Sequence, residues 1–186
     1  MASAARFEQP ALALTDHGNL CGAIEFYKAC RAKGVKPIVG LEAYLAPRSR
    51  FDRAKNPVAA HHLILLAMNA TGYRNLIKLS SRSFTEGFYY VPRLDKELLA
   101  RHSEGIIAQS ACLSGEPCYY LRCGDRTRAV QAAAEMKTIF GDRYYLELQR
   151  NGCDGQEEVN QGLISIAREI GIPLVATNDV HYVSED

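Results

Sequence analysis

The chain predicts an α/β fold, mainly parallel in its strands and curled toward a barrel, and three observations carry that expectation. Short apolar runs alternate with amphipathic runs of helix length along all 186 residues, the pattern of successive strand–helix units. Two of the runs end on nearly the same chemistry: one stops at Thr15, Asp16 and His17, the other at Thr177, Asn178, Asp179, Val180 and His181. A continuous apolar run bounded by turn-forming residues reads as a buried parallel strand, and α/β folds keep their chemistry at the carboxyl ends of such strands. No linker or low-complexity stretch divides the chain, so a single domain over 1–186 with one core is expected.

Residues 1–9 are alanine-rich and read as the end of a helix, which leaves the expectation that one element of the series is lost before them. A strand follows at 11–15. Gly18 frees the backbone to turn and Asn19 is expected to cap the helix at 20–33, with Gly34 closing it. The next strand is 37–45. Between Tyr44 and His62 there is only a loop with Pro and Arg residues, so the strands at 37–45 and 62–68 are expected to pair antiparallel. A helix at 71–83, a strand at 105–110, a helix at 125–140 and a strand at 143–149 continue the series. The helix at 156–170 carries Val159, Leu163, Ile166 and Ile170 at spacings of three and four, the stripe of a helix lying on a sheet. Gly171 ends it, and the strand at 172–177 closes the series.

Composition narrows the function classes. With 22 Lys and Arg against 21 Asp and Glu, the net charge of +1 gives no global footprint for nucleic acid. The most basic stretch, from Arg48 to Lys55, reads as a solvated loop. No apolar run approaches the roughly 20 residues needed to cross a bilayer and no signal peptide opens the chain, so a cytoplasmic location without membrane contact is expected. The six cysteines lack zinc-ribbon or redox-motif spacing and read as reduced thiols.

The residues that could carry chemistry sit at strand ends. Asp16 and His17 finish the first strand, and Asp179 and His181 lie two apart on one side of an extended segment. Glu42 is a carboxylate inside an apolar strand, costly unless paired or metal-bound. His61 and His62 open the third strand; adjacent residues point to opposite faces, so only one of them faces the interior. Antiparallel pairing would bring that end to the same mouth as the other groups. Cys112 lies just past the strand at 105–110. Glu147 has a context like that of Glu42 but reads as structural, and His102 as solvent-facing. There is no nucleophile elbow, Walker loop or dinucleotide fingerprint. A mixed His, Asp, Glu and Cys set suits zinc, manganese or iron, ions that activate water and polarise phosphoryl oxygens.

The motifs Pro10 to Leu20, Phe26 to Lys28, Lys36 to Gly40 with Glu42, His61 to Leu63, Thr71 to Leu76, Glu86 to Tyr89, Ser110 to Gly115 and Ala176 to Tyr182 closely resemble the polymerase-and-histidinol-phosphatase (PHP) domain of bacterial replicative DNA polymerase III alpha subunits. The resemblance implies a distorted (βα)7-like barrel of TIM type with a metal cluster at its mouth. It implies His17, Glu42, His62, Cys112, Asp179 and His181 as ligands of divalent metal ions, Asp179 and His181 as the catalytic pair, and Asp16 and His61 as residues orienting the site. It further implies metal-dependent phosphoester hydrolysis of the kind used in 3′–5′ proofreading. In some members of the family the domain serves instead as a scaffold for a separate proofreading exonuclease; a stand-alone small-molecule phosphatase is a more distant alternative. DNA, reached through a full-length polymerase, and other replicase subunits are the implied partners. The family opens with a strand carrying His-x-His, which this sequence lacks, as it lacks palm, fingers and thumb. A piece of a DNA-directed DNA polymerase, with its first strand absent, an incomplete metal site and little activity alone, is therefore expected.

Overall fold

The computed structural model describes residues 1–54 and 59–183; Lys55, the last residue of the basic stretch, falls outside them. In chain order the elements are α1 (Ala2–Arg6), β1 (Ala11–Leu14), α2 (Ala23–Ala32), β2 (Lys36–Leu45), β3 (His61–Ala67), α3 (Ala70–Thr85), β4 (Arg93–Leu94), α4 (Lys96–Arg101), β5 (Ile106–Gln109), α5 (Glu116–Arg122), α6 (Arg126–Phe140), β6 (Tyr144–Gln149), α7 (Gln156–Ile170) and β7 (Leu174–Thr177). The strands form one curled sheet in the order β1-β2-β3-β5-β6-β7, with the two-residue β4 pairing on β2. This is the barrel-like α/β architecture the sequence predicts, drawn as a half-barrel among the described residues.

One strand runs against the rest. β3 is antiparallel to both neighbours, β2 and β5, while the β1–β2, β5–β6 and β6–β7 pairs are parallel. The cause is the connection: among the described residues between β2 and β3 there is no crossover helix to carry the chain back, so β3 returns beside β2 in the opposite sense.

Strand alternation sorts the two faces of the sheet. Leu41, Ala43, Leu45, Leu63 and Leu65 are buried on the outer face and join Leu76 and Leu79 of α3, Leu98 and Leu99 of α4, Met136 and Phe140 of α6 and Leu163 and Ile166 of α7 in one core. Removing that apolar area from water, at roughly 25 cal/mol per Å², is the main favourable term of the fold. The inner face carries Glu42, His62, Ile64, Leu66 and Tyr44 in alternation with it. A smaller cluster of Ala4, Phe26, Cys30 and Val35 seats α1 and α2 against β1.

Helix ends follow local chemistry in most places. Asn69, Asp95 and Asp125 cap α3, α4 and α6, each accepting a backbone N–H three residues on. Asn19 does not cap α2 as expected: the N-cap is Gly22, and Asn19 closes a local turn by accepting from the Cys21 N–H and donating to the His17 carbonyl. A short polar side chain bonds its own neighbourhood two residues on at little cost, and here that competes successfully with capping.

Candidate metal centre

The site is assembled where the carboxyl ends of β1, β2, β6 and β7 meet the amino end of β3 and the loop after β5. The β1–β2 ladder extends past the end of β1: Glu42 N–H donates to the Asp16 carbonyl at 3.1 Å, and Gly18 N–H to the Glu42 carbonyl at 2.8 Å. That register places His17 beside Glu42. Gly18 is required for the turn that follows, since its φ is +71° and a Cβ there would meet Pro92 at 2.7 Å. Asp16 accepts from the Gly22 N–H at 3.2 Å and so braces the same turn.

The reversal of β3 brings its first residues to this mouth, with His62 opposite Tyr44. His62 N–H bonds the Ser114 carbonyl at 3.1 Å, which ties the loop after β5 to the start of β3. That loop is tight: a Cβ on Gly115 would lie 1.8 Å from the Ser110 carbonyl oxygen. Ala111 adopts φ +62°, a left-handed conformation costing an ordinary residue about 1–2 kcal/mol. The loop thereby points Cys112 at His62.

Glu42, His62 and Cys112 offer an oxygen, a nitrogen and a sulfur that all lie within 4.8 Å of one another. His62 Nδ1 is 2.6 Å from Glu42 Oε1 and 3.6 Å from Cys112 Sγ. Donors sharing one ion at bond lengths of about 2.0–2.3 Å sit roughly 3–4 Å apart, so this trio has the spacing and chemistry of a borderline divalent ion's ligands. His17 Nε2 reaches Glu42 Oε2 at 3.2 Å. The His17 ring lies 5.7 Å from those of both His62 and His181. His181 Nδ1 meets the Asp179 carbonyl at 2.9 Å, and Asp179 has φ +49°.

The electrostatics reflect the crowding. Burial alone would raise the Glu42 carboxyl, but the hydrogen bond to His62 and the charges of His62, His17 and His181 outweigh it and hold the group below its usual value. His62 is raised to about 10 by its contacts with Cys112 and Glu42, against the cost of burial.

His17, Glu42, Asp179 and His181 line a cleft of ≈ 790 Å³ that follows β1 from Gln9 to His17 and β7 from Ala176 to His181. It lies where the half-barrel is open, since β1 and β7 do not pair with each other among the described residues. His61 lies elsewhere. It is on the outer face, buried, with its ring 5.0 Å and 6.0 Å from those of Tyr119 and Tyr120, because strand alternation turns it away from His62. Its expected role in orienting the site has no contact to support it.

Glu147, expected to be structural, lines the same cleft. It accepts from Gln149 at 2.9 Å and from the Thr177 hydroxyl, while its Oε2 has no partner among the described residues. Burial, together with the Asp179 charge, raises its carboxyl above the usual range. The sequence signal was present, since Glu147, like Glu42, is a lone carboxylate in an apolar strand.

Comparison with known proteins bears on the fold and the family. Residues 1–151 match the model of the PHP domain. DNA polymerase III subunit alpha of Treponema pallidum is 50% identical over 181 residues, covering 96% of this chain and 16% of that protein. The Thermus aquaticus subunit is also 50% identical, over 184 residues, 96% of this chain and 15% of its own length. The chain thus spans about a sixth of the length of these relatives. Among solved structures, a Bifidobacterium adolescentis protein assigned as a metal-dependent phosphoesterase superposes with a TM-score of 0.56 at 13% identity, covering 97% of this chain and 80% of that one, and shares its fold. The family match over most of the chain, set on a half-barrel with clustered Glu, His and Cys donors at its mouth, shows that this chain belongs to the PHP domain family.

Proposed function

We propose that the chain is one PHP domain, 1–186, of a replicative DNA polymerase III alpha subunit, and that it holds divalent metal for phosphoester hydrolysis of the 3′–5′ proofreading type. The observation that carries this reading is the convergence of donor atoms of Glu42, His62 and Cys112 within 4.8 Å of one another, with Glu42 also lining the cleft that holds His17, Asp179 and His181. The thiolate and imidazole favour zinc over magnesium or calcium, with manganese or iron as alternatives. Half-identical relatives named as polymerase III alpha subunits support the replicative context, and DNA and other replicase subunits are the corresponding partners. Among the described residues no helix is long and apolar enough to cross a membrane, in keeping with a cytoplasmic location.

In this reading Glu42, His62 and Cys112 form the inner ligands, and His17, Asp179 and His181 complete the set from the two flanking strands. A bound divalent ion supplies Lewis acidity and a water made nucleophilic at neutral pH. The protein's own part is positional. Glu42 is fixed by β2–β3 pairing and oriented between His17 and His62. Asp179 and His181 line the cleft from the β7 side, where, besides the donor atom each would give the metal, Asp179 has a second carboxylate oxygen and His181 a second ring nitrogen to orient a phosphodiester or pass a proton. Asp16 braces the turn that carries His17.

Cobalt substitution tests the ligand assignment. A thiolate-to-cobalt absorption band is expected in the wild-type chain and its loss in Cys112→Ser, with metal affinity falling at least about tenfold. In a full-length alpha subunit of the same family context, Asp179→Ala is expected to abolish metal-dependent 3′–5′ trimming while the unfolding midpoint stays within about 1 kcal/mol. Unchanged trimming would place the activity elsewhere and favour the scaffold role.

A further inference from the structure

A second concavity lies on the helix side of the sheet, between residues 47–54 that follow β2, strand β4, and helix α5 with the start of α6. It has a volume of ≈ 500 Å³ and is lined by Arg48, Arg93, Arg128, Tyr119, Tyr120 and His61, with the carboxylate of Asp52 also on its wall. His61 faces it because His62 faces the half-barrel interior, so the two cavities sit on opposite faces of β3.

The informative residue is Arg93. It is 5% exposed, yet no carboxylate lies within 4.0 Å of it among the described residues. Its Nε donates to the Gly87 carbonyl at 3.1 Å and its Nη2 to the carbonyls of Arg50 at 3.1 Å and Asp52 at 2.6 Å. Nη1 has no protein partner among the described residues. The Tyr89 ring, 5.2 Å from the guanidinium carbon, offers partial compensation. Arg50, two residues from Asp52, shows the contrast: it is buried to the same degree but paired with Asp95 and Glu86. The Asp52 charge reaches Arg93 only from beyond ion-pair distance, so the guanidinium rests on three backbone carbonyls with no carboxylate paired to it, and an anion in the pocket would supply that pairing.

The other two arginines stand ready for the same ligand. Arg48 pairs with Asp52 at 2.6 Å and Arg128 with Asp125 at 3.4 Å, both at exposed positions. Such exposed pairs are worth about 0–1 kcal/mol, so a phosphate, which a guanidinium grips through two parallel bonds, displaces them readily. Beside the arginines are two aromatic faces. The Tyr119 and Tyr120 rings are 5.4 Å apart, with the Arg128 guanidinium 5.8 Å from Tyr120. Arginines next to stackable rings are how proteins hold a nucleotide without reading its base.

We propose that this pocket binds a nucleotide, its phosphate on Arg48, Arg93 and Arg128 and its base against Tyr119 and Tyr120. It is a binding site and not a second hydrolytic one, since no metal-ligand cluster adjoins it among the described residues. The two sources of that chemistry are a free nucleotide and a single strand of DNA.

Binding is measured with the 186-residue chain in EDTA, so that the metal centre does not contribute, using thymidine monophosphate, inorganic phosphate and a labelled thymidine octanucleotide. Saturable binding of thymidine monophosphate is expected, at least tenfold tighter than inorganic phosphate. The double variant Arg48→Ala and Arg128→Ala is expected to weaken it about tenfold, and Tyr120→Leu to weaken the nucleotide but not phosphate. Circular dichroism of each variant checks the fold. Tighter, steeply salt-dependent binding of the octanucleotide identifies single-stranded DNA as the occupant; equal affinity identifies the free nucleotide. The proposal is overturned if neither probe binds saturably, if the folded double arginine variant binds as wild type does, or if phosphate alone binds as well as the nucleotide.

Discussion

Burial pulls the His61 imidazole down to about 4, with the charges of Lys96 and His62 adding to the effect. In the unfolded chain the same group titrates near 6.5, so between those values the unfolded state binds more protons and stability must fall as the pH drops. His62, raised to about 10, acts in the other direction and in another window: above pH 6.5 the folded state binds the extra proton, and stability falls as the pH rises. The two windows meet only at 6.5, so they separate experimentally. Urea unfolding in EDTA at pH 5 and pH 6.5 is expected to show a loss toward the lower pH that His61→Leu removes. An unchanged slope in that variant would mean that His61 is not the group responsible. The two adjacent histidines look alike in the sequence, and their separation depends on which face of β3 each occupies.

At the scale of elements, the loop from Ser110 to Gly115 decides whether the site forms. Gly115 has its Cα packed against the Ser110 carbonyl, and Cys112 is held three residues away by the bond from Gly115 N–H to the Cys112 carbonyl at 2.9 Å. Gly115→Ala is expected to cost about 1–3 kcal/mol through that overpacking, and to weaken the cobalt–thiolate band by displacing Cys112. A destabilised protein with an unaltered band would show that the loop does not set the sulfur's position. The long elements were legible because their periodicity repeats several times: α7 coincides with the predicted 156–170 and carries the stripe expected of it. The strands agree within a residue or two. The elements that were not read are β4, α4 and α5, of two, six and seven residues. Elements of one or two turns bury too few residues to print a period, and they form because packing and caps such as Asp95 hold them.

For the whole molecule, the buried Arg50 fastens the β2–β3 loop to the helical layer. Its guanidinium bonds Asp95 at 2.8 Å and Glu86 at 2.7 Å, while Asp95 also accepts the Arg50 and Leu98 N–H groups at 3.0 Å. Removing one partner of such a buried pair strands the other, which costs about 3–5 kcal/mol. Arg50→Met is therefore expected to lower the unfolding free energy by about that amount in urea, with Asp95→Asn in the same background recovering part of it. The stretch from Arg48 to Lys55 was read as a solvated basic loop, and for Arg48 that description holds. Arg50 within it is instead buried and paired, a distinction that no count of charges reveals.

The sequence by itself determined the α/β class, the reversed third strand, the family resemblance and the residue types gathered at the cleft. These follow from local periodicity, from the missing crossover helix and from polar groups set at the ends of apolar runs. Residue types alone left His61 and His62 equivalent, and the resemblance favoured His62; the tertiary structure is what sets His62 against Glu42 and Cys112, puts Glu147 in the cleft that Glu42 lines, and buries Arg93 without a paired carboxylate on the wall shared with two tyrosines. Those facts rest on strand register and on contacts between segments distant in the sequence, 41 residues apart for Arg93 and Asp52 and 50 for His62 and Cys112, and composition carries no record of either.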